Sequence, residues 1–152
     1  MAEPTDPEAK PRLEALSDFR YQLRIFLRFS EDAAREEGIT ALQYQLLLHT
    51  HAFPGRKWAT IGELAERLQA APHGVVALVT RCEELGLVRR KVGTEDRRLV
   101  EVHLLPKGRR KLDILADQHL DKLQVLADAV RIASKVSPLM PKSAAPQDGQ
   151  SQ

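Results

Sequence analysis

The sequence contains one cysteine, Cys82, in 152 residues. A single thiol excludes an internal disulfide and is typical of a protein that works in a reducing cytoplasm. No pair of cysteine or histidine residues has metal-site spacing, and the glycine-rich phosphate-binding, zinc-protease and serine-nucleophile motifs are absent. We therefore expect neither a cofactor nor a metal, and no catalytic centre.

Long apolar runs are also missing. No run approaches the roughly 20 residues that a membrane-spanning helix needs, and the first residues, MAEPTDPEAKPR, contain no apolar core of a secretion signal. With 43% hydrophobic and 29% charged residues, the composition is that of a soluble globular protein. We predict one domain, or one core with extensions, in the cytoplasm and without a membrane partner.

Positive charge is concentrated in one segment. Residues 89–111 contain nine Lys and Arg against three acidic residues, whereas the whole chain has a net charge of only +2. Such a cluster is typical of a surface that binds nucleic acid, because bound cations release condensed counterions. The alternative is a solvated basic hairpin without a partner, and the helical pattern around the segment favours nucleic acid.

Two long amphipathic helices are predicted near the ends of the chain, over about residues 11–37 and 107–136. The first has two apolar edges, and such a helix usually packs against two partners. We expect its own domain on one side and a second subunit on the other. The second long helix has one apolar seam, formed by Leu112, Ala116, Leu120, Leu123, Ala127 and Val130.

Three shorter helices are predicted between the long ones. Two of them begin with a capping box, Thr40 with Gln43 and Thr60 with Glu63. The third has Pro72 in its first turn. Apolar residues at helical spacing predict the inward faces, which comprise Leu42, Leu46, Leu47, Ile61, Leu64, Ala65, Leu68, Val75, Leu78, Val79, Cys82 and Leu85.

A two-stranded hairpin, or wing, is predicted after the third short helix. Leu87 and Val88 open its first strand, and residues 93–96 have turn chemistry. The return strand alternates apolar residues with Glu101 and His103, which we expect to face outward.

The predicted fold class is mainly α with a small two-stranded β wing (α+β), a winged helix-turn-helix between long N- and C-terminal helices. Trp58 is expected in a loop, as a plug of the core. The predicted limits are a disordered tail over 1–11, dimerisation helices over 12–37 and 107–136, a winged helix-turn-helix over 38–106 and a disordered tail over 137–152.

The segments TIGELAERL, LVTRCEELGLVRR and EDRRLVEVHLLPKG resemble the MarR family of bacterial transcription regulators, and the likeness extends over about residues 12–135. Its most specific part is the wing sequence DRR, followed by a strand and the exit sequence PKG. The resemblance implies a homodimer with intertwined long helices. Its two winged domains would reach adjacent major grooves of a pseudo-palindromic double-stranded operator, about 10 bp apart.

The resemblance also assigns DNA contacts to the third short helix and to the wing. In the family, the arginine that matches Arg98 enters the minor groove, and the acid that matches Asp96 braces the wing. Two residues apart on an extended strand, their side chains should point the same way. The expected DNA-binding residues are His73, Gly74, Ala77, Thr80, Arg81, Arg89, Arg90, Lys91, Asp96, Arg97 and Arg98.

The third short helix, which is the recognition helix of the family, departs from the family pattern. Where relatives often offer Ser, Thr and Arg, this chain has His73, Gly74, Val76 and Ala77. Val76 and Ala77 make only apolar contacts, for instance with thymine methyl groups. His73, Thr80 and Arg81 remain for polar contacts, so we expect specificity to rest more on the wing and on DNA shape.

An effector site is implied by the same resemblance. Family members bind small aromatic or phenolic ligands between the dimerisation helices and the winged domain, near Tyr21, Arg24, Arg28, Tyr44, His49 and His51 of this chain. For the two histidines, a structural role at a helix end or in the core is the alternative. Cys82 lies on an inward stripe, so an inert buried thiol is expected rather than a redox sensor.

The function predicted from the sequence is a dimeric, sequence-specific DNA-binding transcriptional regulator, a repressor relieved by a small ligand. The alternative, from another class, is a winged-helix dimer that acts as a protein-interaction module without specific DNA binding. The apolar recognition helix favours that alternative, and the charge of the wing opposes it.

Overall fold

The computed structural model of this chain describes residues 9–136. The elements are α1 (Ala9–Glu36), α2 (Ala41–His51), β1 (Trp58–Thr60), α3 (Ile61–Leu68), α4 (Pro72–Glu84), β2 (Val88–Val92), β3 (Val100–Leu104) and α5 (Pro106–Val136). This order confirms the predicted mainly α, winged helix-turn-helix fold. Among the described helices, none is both long and apolar enough to cross a membrane.

The predicted tails fall largely outside the described residues. α1 begins at Ala9, so the last three residues of the predicted N-terminal tail are helical instead. Pro11 is tolerated there because the first turn of a helix leaves its backbone N–H groups unbonded. The rest of that tail, and the predicted tail over 137–152, lie beyond the described part of the chain.

Contacts divide the chain into two compact units. The larger unit contains residues 25–123 and therefore α2, α3, α4 and all three strands, together with the adjoining parts of the two long helices. The smaller unit contains the other parts of α1 and α5, up to residue 24 and from residue 124. The candidate site lies in the larger unit.

The core of the larger unit is built from the inward faces of the short helices together with residues of the sheet and of α5. Two residues predicted to be inward, Leu42 and Leu85, are exposed instead. The buried face of α2 is centred on Gln43, Leu47 and Thr50, so Leu42 lies at its edge. Leu85 is the C-cap of α4, where helical spacing no longer fixes an inward direction. The largest fully buried side chains are Leu46, Leu47, Leu64, Leu87, Leu115, Val75, Val79, Val88 and Val102.

Helix ends follow the predicted signals. Both capping boxes are present, with the side chains of Thr40 and Thr60 each accepting a hydrogen bond from the backbone three residues later. Gly38 and Gly86 have φ of 76° and 72° just past α1 and α4. Glycine adopts this left-handed conformation without a steric cost, so both helices end there.

The sheet has three strands rather than the two of the predicted wing. β3 is central and runs antiparallel to β1 on one side and to β2 on the other. Trp58 therefore lies in a strand, paired with His103, and the prediction of a loop was wrong. Three residues are too few to show an alternating pattern, and the capping box that begins at Thr60 indicated only the helix.

Glu101 and His103 do not face solvent as predicted. Glu101 is only 4% exposed, and its carboxylate lies 2.8 Å from Nε2 of the half-buried His103. The His103 ring stacks on Trp58 with 5.9 Å between centroids. The face that would be outward in a two-stranded hairpin is covered because β1 adds Trp58 to it.

Two glycines allow close backbone approaches around the wing. A Cβ on Gly108 would lie 2.1 Å from the carbonyl oxygen of Leu87, which accepts a 2.9 Å hydrogen bond from the Leu105 N–H. A Cβ on Gly93 would lie 2.3 Å from the carbonyl oxygen of Asp96. The glycine of the exit sequence PKG is thus the residue that lets α5 start against Leu87, which directly precedes β2.

Candidate nucleic-acid interface

The helix α4 has one face in the core and one in solvent. Val75, Leu78, Val79 and Cys82 are buried. The opposite face exposes His73, Gly74, Ala77 and Arg81, and Val76 is 42% exposed beside them. Four of the predicted DNA-binding residues are therefore accessible on a single helix surface.

Thr80 and Arg90, two further predicted DNA contacts, bond to each other. Nη2 of Arg90 donates to the Thr80 hydroxyl at 3.0 Å, and the Thr80 hydroxyl donates to the Val76 carbonyl at 3.0 Å. The Glu83 carboxylate accepts from the Arg90 backbone N–H at 2.9 Å and also pairs with its guanidinium. We call Thr80, Glu83 and Arg90 the wing clamp, because they fasten β2 to α4.

Asp96 and Arg98 form a well-oriented ion pair at the tip of the wing. Oδ1 of Asp96 accepts from the backbone N–H and from Nε of Arg98, both at 3.0 Å, and Oδ2 accepts from Nη2 at 2.9 Å. The Arg98 side chain is nevertheless 89% exposed. Hydrogen bonds from the Arg98 side chain and backbone hold the pKa of Asp96 below its usual value.

The geometry of this pair differs from the predicted one. Both residues lie between β2 and β3, in a turn where the Leu99 N–H donates to the Asp96 carbonyl at 3.1 Å, and not on an extended strand. An aspartate that bonds to the backbone N–H two residues later is typical of such turns. The contact is therefore made by turn chemistry, and strand alternation was the wrong reason to expect it.

Three other cations of the wing are exposed. Arg89, Lys91 and Arg97 have no side-chain hydrogen bond or ion pair within residues 9–136. Their charges, with that of Arg98, are available to a partner outside the described chain. An exposed group of cations on a projecting hairpin is the arrangement that phosphate contacts require.

Three of the four basic residues at the start of α5 have internal partners instead. Lys107 donates through Nζ to the carbonyl of Leu85 at 2.9 Å, and Lys111 donates to the carbonyl of Glu37. These carbonyls lie just past the C-terminal ends of α4 and α1, where a cation is favourable. Arg109 pairs with Asp113 at 2.8 Å.

The residues expected to line a ligand pocket occupy several places. Tyr44 is buried, Arg28 is exposed, and Tyr21 and Arg24 are exposed on the part of α1 that belongs to the smaller unit. Burial and then the charge of Arg67 lower the pKa of His49.

His51 has a specific partner. Nη1 of Arg109 donates to its Nε2 at 2.6 Å. Burial, followed by the charges of Arg109 and Lys57, lowers the pKa of His51. In this structure His51 therefore links the end of α2 to the start of α5, which is the structural role that the sequence left open.

His119 is a residue that sequence reasoning passed over. It is buried, and its Nδ1 donates to the Leu115 carbonyl at 2.6 Å while its Nε2 lies 2.8 Å from the Ser30 hydroxyl. Its ring stacks on Tyr44 with centroids 4.5 Å apart. The signal was available in the sequence, because position 119 continues the buried row that Leu112 and Leu115 begin on α5.

Cys82 is fully buried, and burial raises the pKa of its thiol to about 11. The reactive thiolate is therefore disfavoured at neutral pH. Within the described range, no group of three or more His, Cys, Asp or Glu residues could hold a metal ion.

Comparisons with known proteins agree with this architecture. Residues 37–99 match the MarR family. The chain is 32% identical over 108 residues to an uncharacterized HTH-type transcriptional regulator, YsmB, of Bacillus subtilis (strain 168), with 67% of this chain and 70% of that protein covered. It is 27% identical over 82 residues to the HTH-type transcriptional repressor MdtR of the same organism, covering 54% of this chain and 51% of that protein.

The fold is similar to that of a solved structure. The crystal structure of AbsC, a MarR family transcriptional regulator from Streptomyces coelicolor, matches with a TM-score of 0.68 and 20% identity, over 91% of this chain and 95% of that chain. The sequence identity with YsmB and the family match across the helix-turn-helix carry the assignment further than the fold alone. The chain therefore belongs to the MarR family of winged helix-turn-helix, DNA-binding transcriptional regulators.

Proposed function

We propose that this chain acts as a homodimeric, sequence-specific repressor that binds a pseudo-palindromic double-stranded operator through α4 and the wing. The observation that supports this most is the tip of the wing. The Arg98 side chain is 89% exposed, yet two hydrogen bonds from its guanidinium to the Asp96 carboxylate hold it in one orientation. A guanidinium held in this way loses little conformational freedom when it enters a narrow minor groove.

Direct DNA binding is tested by fluorescence anisotropy with a random duplex at two salt concentrations. We expect micromolar binding that weakens steeply with salt, because each phosphate contact releases counterions. Absence of binding at low salt would contradict the proposal and favour the alternative, a winged-helix dimer that binds other proteins. Selection of bound duplexes from a random pool then identifies the operator and the spacing of its half-sites.

Dimerisation is supported by apolar residues that the single chain leaves uncovered. On α5, Leu120, Leu123 and Val130 are between 43% and 62% exposed, although the sequence placed them in an apolar seam. On α1, Leu13, Leu16 and Tyr21 are exposed as well. Extended apolar rows mark interfaces, and a second copy is the usual occupant in soluble oligomers. Light scattering should give a dimer at micromolar concentration, and a folded monomer would contradict this.

Repression, rather than activation, is favoured by similarity to MdtR, whose name describes a repressor. A dimer on an operator that overlaps a promoter excludes the polymerase from it. In vitro transcription from such a template should fall as the protein is added, once the selected operator sequence is placed in it. A rise in transcript would identify an activator.

Relief by a small aromatic or phenolic ligand completes the proposal. The effector residues remain Tyr21, Arg24, Arg28, Tyr44, His49 and His51. An aromatic environment already exists around Tyr44, since its ring stacks on His119 and the Phe29 ring lies 5.2 Å from the same histidine. We expect phenol or benzoate, titrated into the protein–operator complex, to lower the anisotropy. Unchanged affinity up to millimolar concentrations of both would remove this part of the proposal.

A further inference from the structure

The exposed surface at the beginning of α4 is unusually poor in polar atoms for a recognition helix. Val76 is 42% exposed, Ala77 is exposed, and Gly74 has no side chain and nothing within 4 Å of where a Cβ would stand. His73 is the one polar side chain that the first two turns expose. The first two turns of α4 therefore present mainly methyl groups to a DNA groove.

The wing clamp removes a further polar group from this surface. The hydroxyl of Thr80 has one proton, and it is donated to the Val76 carbonyl at 3.0 Å. One of its lone pairs is occupied by Nη2 of Arg90, also at 3.0 Å. Thr80 therefore has no proton left to donate to a base edge, and the guanidinium of Arg90 is held by Thr80 and Glu83.

We propose that α4 recognises thymine methyl groups in the major groove, with Val76 as the residue that determines this preference. The inference rests on the proposed DNA-binding function. Among the four bases, only thymine presents a methyl group in the major groove, and apolar side chains contact it favourably. A G·C pair has no methyl group in the major groove, so an apolar side chain placed against it gains no such contact.

The charges beside this apolar surface favour DNA as its occupant. Arg89, Lys91, Arg97 and Arg98 are exposed on the adjoining wing, and the wing clamp fastens that wing to α4. Phosphate contacts made by these cations supply affinity without sequence preference. They would hold the start of α4 against base edges, where Val76 and Ala77 discriminate. Each half-site is then expected to have at least one T·A pair facing the first two turns.

The test replaces single thymines of the selected operator with deoxyuridine, which lacks only the C5 methyl group. For the thymine that Val76 contacts, we expect about four-fold weaker binding by the full-length protein, the change that corresponds to about 0.8 kcal/mol for one buried methyl group. In Val76→Ala the deoxyuridine replacement should no longer weaken binding, because the side chain that contacts the methyl group is already missing. Val76→Thr keeps one γ-methyl group, so the deoxyuridine replacement should still weaken its binding, though less than in the wild type.

Matched controls separate a local contact from a general change in affinity. Deoxyuridine placed outside the half-sites should leave binding unchanged. Val92→Ala removes another exposed valine, 61% accessible, from the wing, and should keep the full sensitivity to the half-site methyl. Because Val76 is partly exposed and outside the core, circular dichroism should show the folded protein for every variant.

Each outcome decides the inference. It is overturned if no thymine methyl contributes to binding, or if the same thymine contributes equally in wild type and in Val76→Ala. In both cases sequence-selective binding itself would persist, so the proposed function would stand. If no duplex binds in a salt-sensitive manner, the proposed function fails, and the inference fails with it.

Discussion

The basic segment 89–111 contains two groups of cations that have similar composition and different surroundings. On the wing, Arg89, Lys91 and Arg97 extend into solvent without a partner among the described residues. At the start of α5, Lys107 and Lys111 donate to backbone carbonyls at the ends of two other helices. The number of positive residues in a segment therefore does not measure a binding surface, which consists of the charges that folding leaves free.

This difference predicts separate consequences for the two groups. Removing a wing cation should weaken DNA binding and its salt dependence without changing the stability of the fold. Removing Lys107 or Lys111 from the start of α5 should lower the stability and leave the salt dependence nearly unchanged, because each charge is already used at a helix end.

The largest expected effect comes from Gly108→Ala, at the junction where α5 starts. The new Cβ would lie 2.1 Å from the Leu87 carbonyl oxygen, so the backbone must shift and its hydrogen bond with Leu105 is strained. We expect the free energy of unfolding to fall by about 3 kcal/mol or more, measured by urea denaturation. Gly62→Ala is the control, since a Cβ there meets nothing within 4 Å. It should leave stability equal or higher, and equal stability of the two variants would contradict the close approach.

Arg98→Ala is expected to have the next largest effect, on binding rather than on stability. Loss of an arginine that contacts a groove costs about 1–3 kcal/mol of specific affinity. Arg97→Ala removes the same charge from a neighbouring side chain that has no internal partner in the described chain, and should cost less. Both variants should reduce the salt slope by about one unit. Equal losses on the selected operator would show that charge alone, and not the position of Arg98, determines binding.

Asp96→Ala distinguishes two roles of Asp96, the orientation of the Arg98 side chain and the negative charge that it adds to the wing. It makes the wing more positive, so charge alone predicts tighter binding. Bracing predicts weaker binding, by less than Arg98→Ala, because the arginine remains but loses its fixed orientation. Fluorescence anisotropy at moderate salt, measured with the selected operator, distinguishes the two. A clear gain in the affinity of Asp96→Ala would falsify the bracing role.

The same pair has a pH dependence whose sign is fixed. The pKa of Asp96 is lowered by its bonds to Arg98, so the pair is complete above the usual aspartate range and is lost only as pH falls through the lowered pKa. An NMR titration of the Asp96 carboxyl should therefore show a midpoint below the usual aspartate value. In Arg98→Ala the midpoint should rise toward that value without reaching it, because the side-chain bonds are lost while the backbone N–H of residue 98 still bonds to the carboxylate.

Lys111→Met has the smallest expected effect, and it tests the group at the start of α5. Loss of the bond to the Glu37 carbonyl should lower stability by about 1 kcal/mol or less, because a cation at a helix C-terminus contributes that much. Arg110→Met removes the neighbouring cation, which has no side-chain bond within residues 9–136, and should leave the urea midpoint unchanged. A changed salt slope for Lys111→Met would show that this lysine also contacts DNA.

Local features of this fold were predictable from the sequence. The capping boxes at Thr40 and Thr60 depend on residues three apart, and the end of α1 at Gly38 depends on one residue, so each is determined within a single turn. The two-stranded hairpin of the wing was predictable because its turn residues lie next to each other in the sequence. The resemblance to a family then supplied the Asp96–Arg98 pair, although the backbone that forms it is a turn and not a strand.

Features that depend on distant pairing were not predictable. Lys107 and Leu85 are 22 residues apart, and Lys111 and Glu37 are 74 apart, so no local spacing indicates that these lysines have internal partners. The burial of Glu101 has the same origin, since it follows from the pairing of β3 with β1, which is three residues long. Thr80 was predicted to contact DNA because its hydroxyl lies on the polar side of α4, and only the structure shows its bond to Arg90.

The wing clamp has one further consequence. Since Thr80 and Glu83 belong to α4 and Arg90 to β2, the angle between helix and wing is set before any duplex arrives. Preorganisation of this kind spares the protein an entropic cost on association. It also means that the DNA must adapt its shape, by bending or twisting until its grooves match the fixed arrangement of α4 and the wing. Operators then differ in affinity through the stiffness of base-pair steps that no side chain touches.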